Sequence, residues 1–279
     1  MNLKKNKAWK DQRHGFQESL HYLQGRMKGE IKSIQTPWPK FNDAGTDGLE
    51  WHSTTVIGGR PASGKTLIKD QIVREAFKLN TGQKFRVLEF QLEMLARTSA
   101  IREYSSLLGK TYKHLCSADG KLTNEELVAC YNYAKVRVTY PIDIVEHDML
   151  NSLGEALTYL KRKYPIAFII LSQLNRNIDN PERAEDGKYG NYVLESDLFG
   201  ADALLQHADL LIGINKPGKQ NIRYYGPDRY IIAEKDIMVM HFLKCRNGDT
   251  RMSFFKTEFG KMQIVEMDTP PTQERRLKT

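Results

Sequence analysis

Cysteine is scarce in this chain. Its 279 residues contain three, Cys116, Cys130 and Cys245, and no CxxC pair. That argues against a disulfide or zinc framework and fits a reducing compartment. No apolar run approaches the ~20 residues that a membrane-crossing helix needs. The basic start, MNLKKNKAWKDQRHG, has no apolar segment behind it. A secretory signal is therefore not expected, and the cytoplasm is the expected location. The sequence shows neither an internal repeat nor a low-complexity tract, which sets aside repeat arrays and linker-rich architectures.

Hydrophobic residues at 40% and charged residues at 27% give an ordinary globular profile. At roughly 100–200 residues per domain, the length allows one large domain or two small ones. The formal charge of +8 favours a polyanionic partner such as nucleic acid, a basic solvated surface being the plain alternative.

Residues 1–13 read as a basic arm. Phe16, Leu20, Leu23 and Met27 follow at helical spacing, so they share one face of a helix. That face either folds back on its own domain or docks on a neighbouring subunit. Residues 33–52 read as loop, with Pro37, Pro39, Gly45 and Gly48. Strands and helices then alternate. Strands are expected at 53–57, 85–90, 142–145, 166–171 and 210–214, and helices at 67–78, 93–107, 123–135, 152–162 and 198–207. Thr123 with Glu126 three residues on has the form of a capping box. The continuous apolar run at 166–171 reads as a parallel strand buried on both faces. Strands at 230–233, 237–243, 251–255 and 262–265 form a β-rich C-terminal part. The tail at 268–279 is expected to be disordered. The alternation implies a single α/β domain with a mainly parallel sheet and right-handed crossovers.

The segment Gly59-Arg60-Pro61-Ala62-Ser63-Gly64-Lys65-Thr66 matches GxxxxGK[ST] in full, between a strand and a helix. Glycines let the backbone wrap close to phosphate oxygens, and successive N–H groups at a helix N-terminus face the anion. Lys65 is then placed for the β- and γ-phosphates of ATP, and Thr66 for Mg²⁺. A mere glycine turn is opposed by the complete motif in its required context. Glu93, just past the second strand, is placed to polarise an attacking water, or is simply an acid at a helix N-terminus. Gln173, after the strand at 166–171, is placed to sense a γ-phosphate and relay its presence to the long polar loop at 177–195. Lys244 and Arg246, in KCRNG, occupy either a solvated hairpin turn or an arginine-finger position reaching a neighbouring subunit.

Taken together, these segments resemble the C-terminal motor domain of DnaB-type replicative helicases, a RecA-like P-loop NTPase. The resemblance runs from about Ile34 to Val265. It rests on the P-loop with QLEM at 91–94, SQLNR at 172–176, SDL at 196–198, QHAD at 206–209 and KCRNG at 244–248. It implies a catalytic role for Glu93, γ-phosphate sensing by Gln173, and action in trans by Lys244 and Arg246. It also implies a homo-hexameric ring on single-stranded DNA, with residues 16–27 as a linker helix docked on the adjacent subunit. The organisation is then a basic arm and linker helix at 1–32, the motor at 33–267 and the tail at 268–279. A phage or mobile-element replication system is implied by the short N-terminal part. The family's N-terminal helical domain is not found, so primase or loader contacts through it are not expected.

Two further departures are visible. Where the family follows SDL with Arg-Glu-Ser-Gly, this chain has Phe199, Gly200, Ala201 and Asp202. DNA contact then passes to main-chain amides, Arg176, Arg183 or Lys188. The family also has a strand ending in Asp, the Walker B strand, between the equivalents of 142–145 and 152–162. Here only Glu146–Asn151 separates those elements. A motor that hydrolyses ATP is the first reading, a non-hydrolysing ATP-binding ring that serves as scaffold or loader the second, and a recombinase of the wider RecA-like group the third.

Overall fold

The computed structural model describes residues 12–90, 95–145, 160–184, 192–198 and 208–274. The basic arm up to residue 11 lies outside them. So do most of the helices expected at 152–162 and 198–207, and QLEM at 91–94. Among the described residues, no helix is long and apolar enough to cross a membrane.

The chain opens with α1 (Gln12–Met27) and α2 (Pro39–Ala44), then β1 (Thr54–Gly59), α3 (Lys65–Leu79) and β2 (Val87–Phe90). Three helices follow, α4 (Ala96–Leu108), α5 (Tyr112–Cys116) and α6 (Asn124–Arg137). Thr123 caps α6 as expected: its side chain accepts from the Glu126 N–H, and the Glu126 carboxylate accepts from the Thr123 N–H. Next come β3 (Ile142–Val145), β4 (Phe168–Gln173), β5 (Leu210–Asn215), β6 (Tyr224–Tyr225) and β7 (Tyr230–Ile231). The chain ends in β8 (Ile237–Cys245), β9 (Arg251–Glu258) and β10 (Gln263–Glu266).

Six strands form the main sheet in the order β10-β9-β8-β5-β1-β4. β1 runs parallel to both β4 and β5, while β8, β9 and β10 join antiparallel. The β-rich C-terminal part is thus continuous with the central sheet. β1 and β5, adjacent in the middle of the sheet, are buried at every position. Leu67, Ile68, Ile72 and Ala76 of α3 are buried in the core. Trp38, just before α2, and Phe41 within it close the other end, packing edge-on against Phe255 and Phe242. The Trp38 indole N–H donates to Ile264 O at 3.2 Å.

β4 differs from its sequence expectation. Its apolar residues are only half-buried, not enclosed on both faces. Among the described residues it pairs with β1 alone, so its outer edge has no ladder. β2 and β3 form a separate parallel pair on which Leu88 and Ile144 are exposed. The tail also departs from expectation. Ile231 N–H donates to Thr272 O, Glu274 N–H donates to Arg229 O, and the Arg229 side chain pairs with the Glu274 carboxylate. These bonds hold the segment through residue 274 against β7.

Candidate nucleotide-binding site

β1 delivers the P-loop at its carboxyl end, and α3 begins at Lys65. Between them the backbone takes two left-handed turns, at Ala62 (φ 58°) and Gly64 (φ 102°). A side chain at Gly59 would collide with Ser63 Oγ, and one at Gly64 would meet the Phe259 ring at 3.0 Å. The loop therefore has the concave shape that phosphate binding needs, with the α3 N-terminus at its floor. Lys65 Nζ folds into it, donating to Gly59 O at 2.6 Å and Arg60 O at 3.1 Å. Ser63 Oγ is buried without a hydrogen-bond partner. A cation held by loop carbonyls and an unsatisfied hydroxyl both fit a triphosphate with its Mg²⁺.

The same end of the sheet collects further polar groups. Gln173 is level with Gly59 in the β1–β4 ladder, so it stands one strand away from the loop and is exposed. Lys216 follows β5 at this edge. Its Nζ donates to Thr257 Oγ1 at 2.6 Å and sits 3.8 Å from the centre of the Phe259 ring, with Lys219 over the same ring at 5.2 Å. Burial, then the nearby Lys219 charge, push the Lys216 ammonium down to about 8. Sequence reasoning missed Lys216, Lys219 and Phe259. Lys216 was findable, since ligands in α/β sheets gather at carboxyl ends of strands.

Lys244 and Arg246 lie at the other end. Lys244 is opposite Leu211 in the β5–β8 ladder, and Arg246 N–H donates to Asp209 O, one residue before β5 begins. Gly59 is level with Ile214 of β5. At ~3.3 Å per residue, Arg246 is about 17 Å along the sheet from its own P-loop. Its guanidinium donates to Asp209 Oδ1 at 2.5 Å.

SQLNR and SDL are joined directly. Leu174 bridges Leu198, Asn175 N–H donates to Asp197 O at 2.6 Å, and Asn175 Nδ2 donates to Ser196 O at 2.8 Å. Arg183 pairs with both oxygens of the buried Asp197, at 2.6 and 3.0 Å. Its guanidinium is therefore committed to the loop's own structure, whereas Arg176 is exposed. Glu93, Lys188, Phe199 and Gly200 lie outside the described residues. A groove of about 410 Å³ lined by Gln71, Arg74, Tyr133 and Ile264 holds none of the sequence-predicted site residues.

No family model matches the chain, and no curated protein sequence matches it. Solved structures do. One is a DnaB-like replicative helicase described with its interactions with primase, with a TM-score of 0.71 and 14% identity. That match covers 90% of this chain and 66% of the helicase chain. Another is an ATPase domain with a TM-score of 0.72 and 14% identity, matched over 90% of this chain and 98% of that domain. The chain therefore has the RecA-like fold of the motor domain of DnaB-like replicative helicases.

Proposed function

We propose that this chain is an ATP-hydrolysing motor that translocates on single-stranded DNA and unwinds duplex, working in the cytoplasm as a homo-hexameric ring. The observation that carries the proposal is the placement of Arg246. It lies at the far end of the sheet from its own P-loop, beyond the reach of one arginine side chain, so any ATP phosphate it touches is bound by another subunit.

Lys65 then holds the β- and γ-phosphates, and the N–H groups of Gly59–Thr66 line the rest of the anion. Thr66 offers its hydroxyl to Mg²⁺, which when bound neutralises phosphate charge. Gln173, level with Gly59, contacts the γ-phosphate and passes its presence to Asn175, which is bonded to the 196–197 segment. Glu93 orients the attacking water. Lys244 and Arg246 complete the neighbouring site. The exposed apolar face of α1, Phe16, Leu20, Leu23 and Met27, docks on the adjacent subunit. DNA contact falls to Arg176, Lys188, Phe199 and Gly200. A primase or loader is a further partner class, by analogy with the primase interaction of the similar helicase.

Strand displacement on a forked duplex tests this reading. It should require ATP and vanish in Lys65→Ala, while single-stranded DNA binding should weaken with salt at a log–log slope of about −0.7 per phosphate contacted. Displacement that survives Lys65→Ala would refute it. Among the described residues β4 pairs with β1 alone, which supports a second reading, an ATP-binding ring without turnover. Nucleotide binding with no phosphate release, with or without DNA, would favour that reading.

A further inference from the structure

The turn that carries Arg246 is tied to α1 within the same chain. Arg246 is fixed on one side by Asp209, whose Oδ2 also accepts from the Thr54 N–H at 2.9 Å and from Lys161 Nζ at 2.8 Å. One residue on, Asn247 Nδ2 donates to Glu50 Oε2 at 3.2 Å. The other oxygen of Glu50 accepts from the Tyr22 hydroxyl, on α1, at 2.5 Å. Gly248 then presses so close to the backbone of Ala44 and Gly45 that no side chain fits there. The turn is thus held at three consecutive residues, and the middle tie leads through one carboxylate to α1.

α1 is seated by a single face. Tyr22 bonds Glu50, Gly25 packs against Ile31, and Arg26 reaches Ser33 Oγ at 3.1 Å and Asp47 at 2.8 Å. At about 100° per residue, Phe16, Leu20, Leu23 and Met27 fall on roughly the opposite side, where they are exposed. The helix therefore has one side fastened to its own turn and the other side apolar and open.

We propose that Glu50 is a positioning residue that couples the seating of α1 to the aim of Arg246, through Tyr22 on one oxygen and Asn247 on the other. The inference rests on the reading above that Arg246 acts on a neighbouring subunit. A helix docked by its apolar side transmits its position to the KCRNG turn, so subunit contact and finger placement become one event. A misplacement on the order of 1 Å costs up to about a hundredfold in rate where orientation matters.

The test is subunit mixing. Lys65→Ala chains offer Arg246 but bind no nucleotide, and Arg246→Ala chains bind nucleotide but offer no finger. An equal mixture should regain DNA-stimulated hydrolysis where the two kinds meet. Adding Tyr22→Phe to the Lys65→Ala chain should lower the regained kcat roughly tenfold with KM for ATP unchanged. Adding it to the Arg246→Ala chain should not lower it. Glu50→Gln, placed in the donor chain, should act in the same direction. Thermal melting and sedimentation of each variant separate this from unfolding or lost assembly. Equal losses from both placements, or none from either, overturn the role of Glu50 and leave the trans finger standing. No regained activity in the unmodified mixture overturns the trans finger itself, and the inference with it.

Discussion

Replacing Gly64 by alanine separates the shape of the phosphate loop from its charge. Gly64 sits at φ 102°, just before the first residue of α3. Holding an L-residue in a left-handed conformation costs roughly 1–2 kcal/mol. The new Cβ also stands 3.0 and 3.1 Å from two atoms of the Phe259 ring. That ring is backed by Lys216, which is itself bonded to Thr257, so it cannot retreat freely. If the loop keeps its shape, the cost appears as lost stability in urea unfolding. If the loop relaxes, nucleotide binding must restore its shape, and about 1–2 kcal/mol becomes roughly a five- to thirtyfold weaker affinity. A fluorescent ATP analogue titrated by anisotropy, beside the unfolding curve, reads both. Pairing the change with Phe259→Ala should relieve the steric part and leave the backbone part. A variant within about 0.5 kcal/mol of wild type in both assays would refute the account of the loop, since changes away from special features stay within that range.

The remaining predictions concern stability. His241 is fully buried, its ring accepts from or donates to the Tyr225 hydroxyl at 2.7 Å, and burial pushes it down to about 3. The unfolded chain takes up a proton near pH 6.5 and the folded one does not, so stability is lost as pH falls from 6.5 toward 3. Between pH 7 and 5 that is about 2 kcal/mol. Urea unfolding at pH 7 and 5 should show a shallower pH slope in His241→Gln, and an unchanged slope would contradict the assignment. Trp38→Ala empties a fully enclosed site and should cost about 3–5 kcal/mol, a loss below 1 counting against its place in the core. Arg183→Ala strands the buried Asp197 and should destabilise by about 3–5 kcal/mol. A stable Arg183→Ala protein with weakened DNA binding would instead make Arg183 a DNA contact.

Elements whose residues obey a local rule were legible in the sequence. The P-loop between β1 and α3, the capping box of α6 and the strand at 142–145 stand where their patterns put them. The apolar spacing of α1 gave the helix but not the fate of its face, because periodicity says what is apolar and not what covers it. β4 looked buried because its residues are apolar, yet burial depends on a neighbour that local sequence does not specify. In the site, Gln173, expected just past a strand at 166–171, is instead the last residue of β4, level with Gly59 of the phosphate loop. The Lys216–Phe259 contact joins residues 43 apart, the Arg246–Asp209 pair residues 37 apart, and the Glu50–Asn247 contact residues 197 apart. Such pairings follow from strand order, which no single segment encodes. Arg183 shows the converse: its charge suggested DNA, and its partner Asp197, 14 residues away, takes the charge up.

The central claim is that ATP bound at one P-loop is hydrolysed with the help of Arg246 from another subunit. Steady-state phosphate release with Mg²⁺, with and without single-stranded DNA, tests it most directly when wild type and Arg246→Ala are compared. The account predicts DNA-stimulated hydrolysis by wild type. It predicts a fall of about 10³-fold or more in kcat for Arg246→Ala, the scale on which arginine fingers act. Hydrolysis by Arg246→Ala at the wild-type rate would contradict it, as would wild-type protein that binds ATP and releases no phosphate.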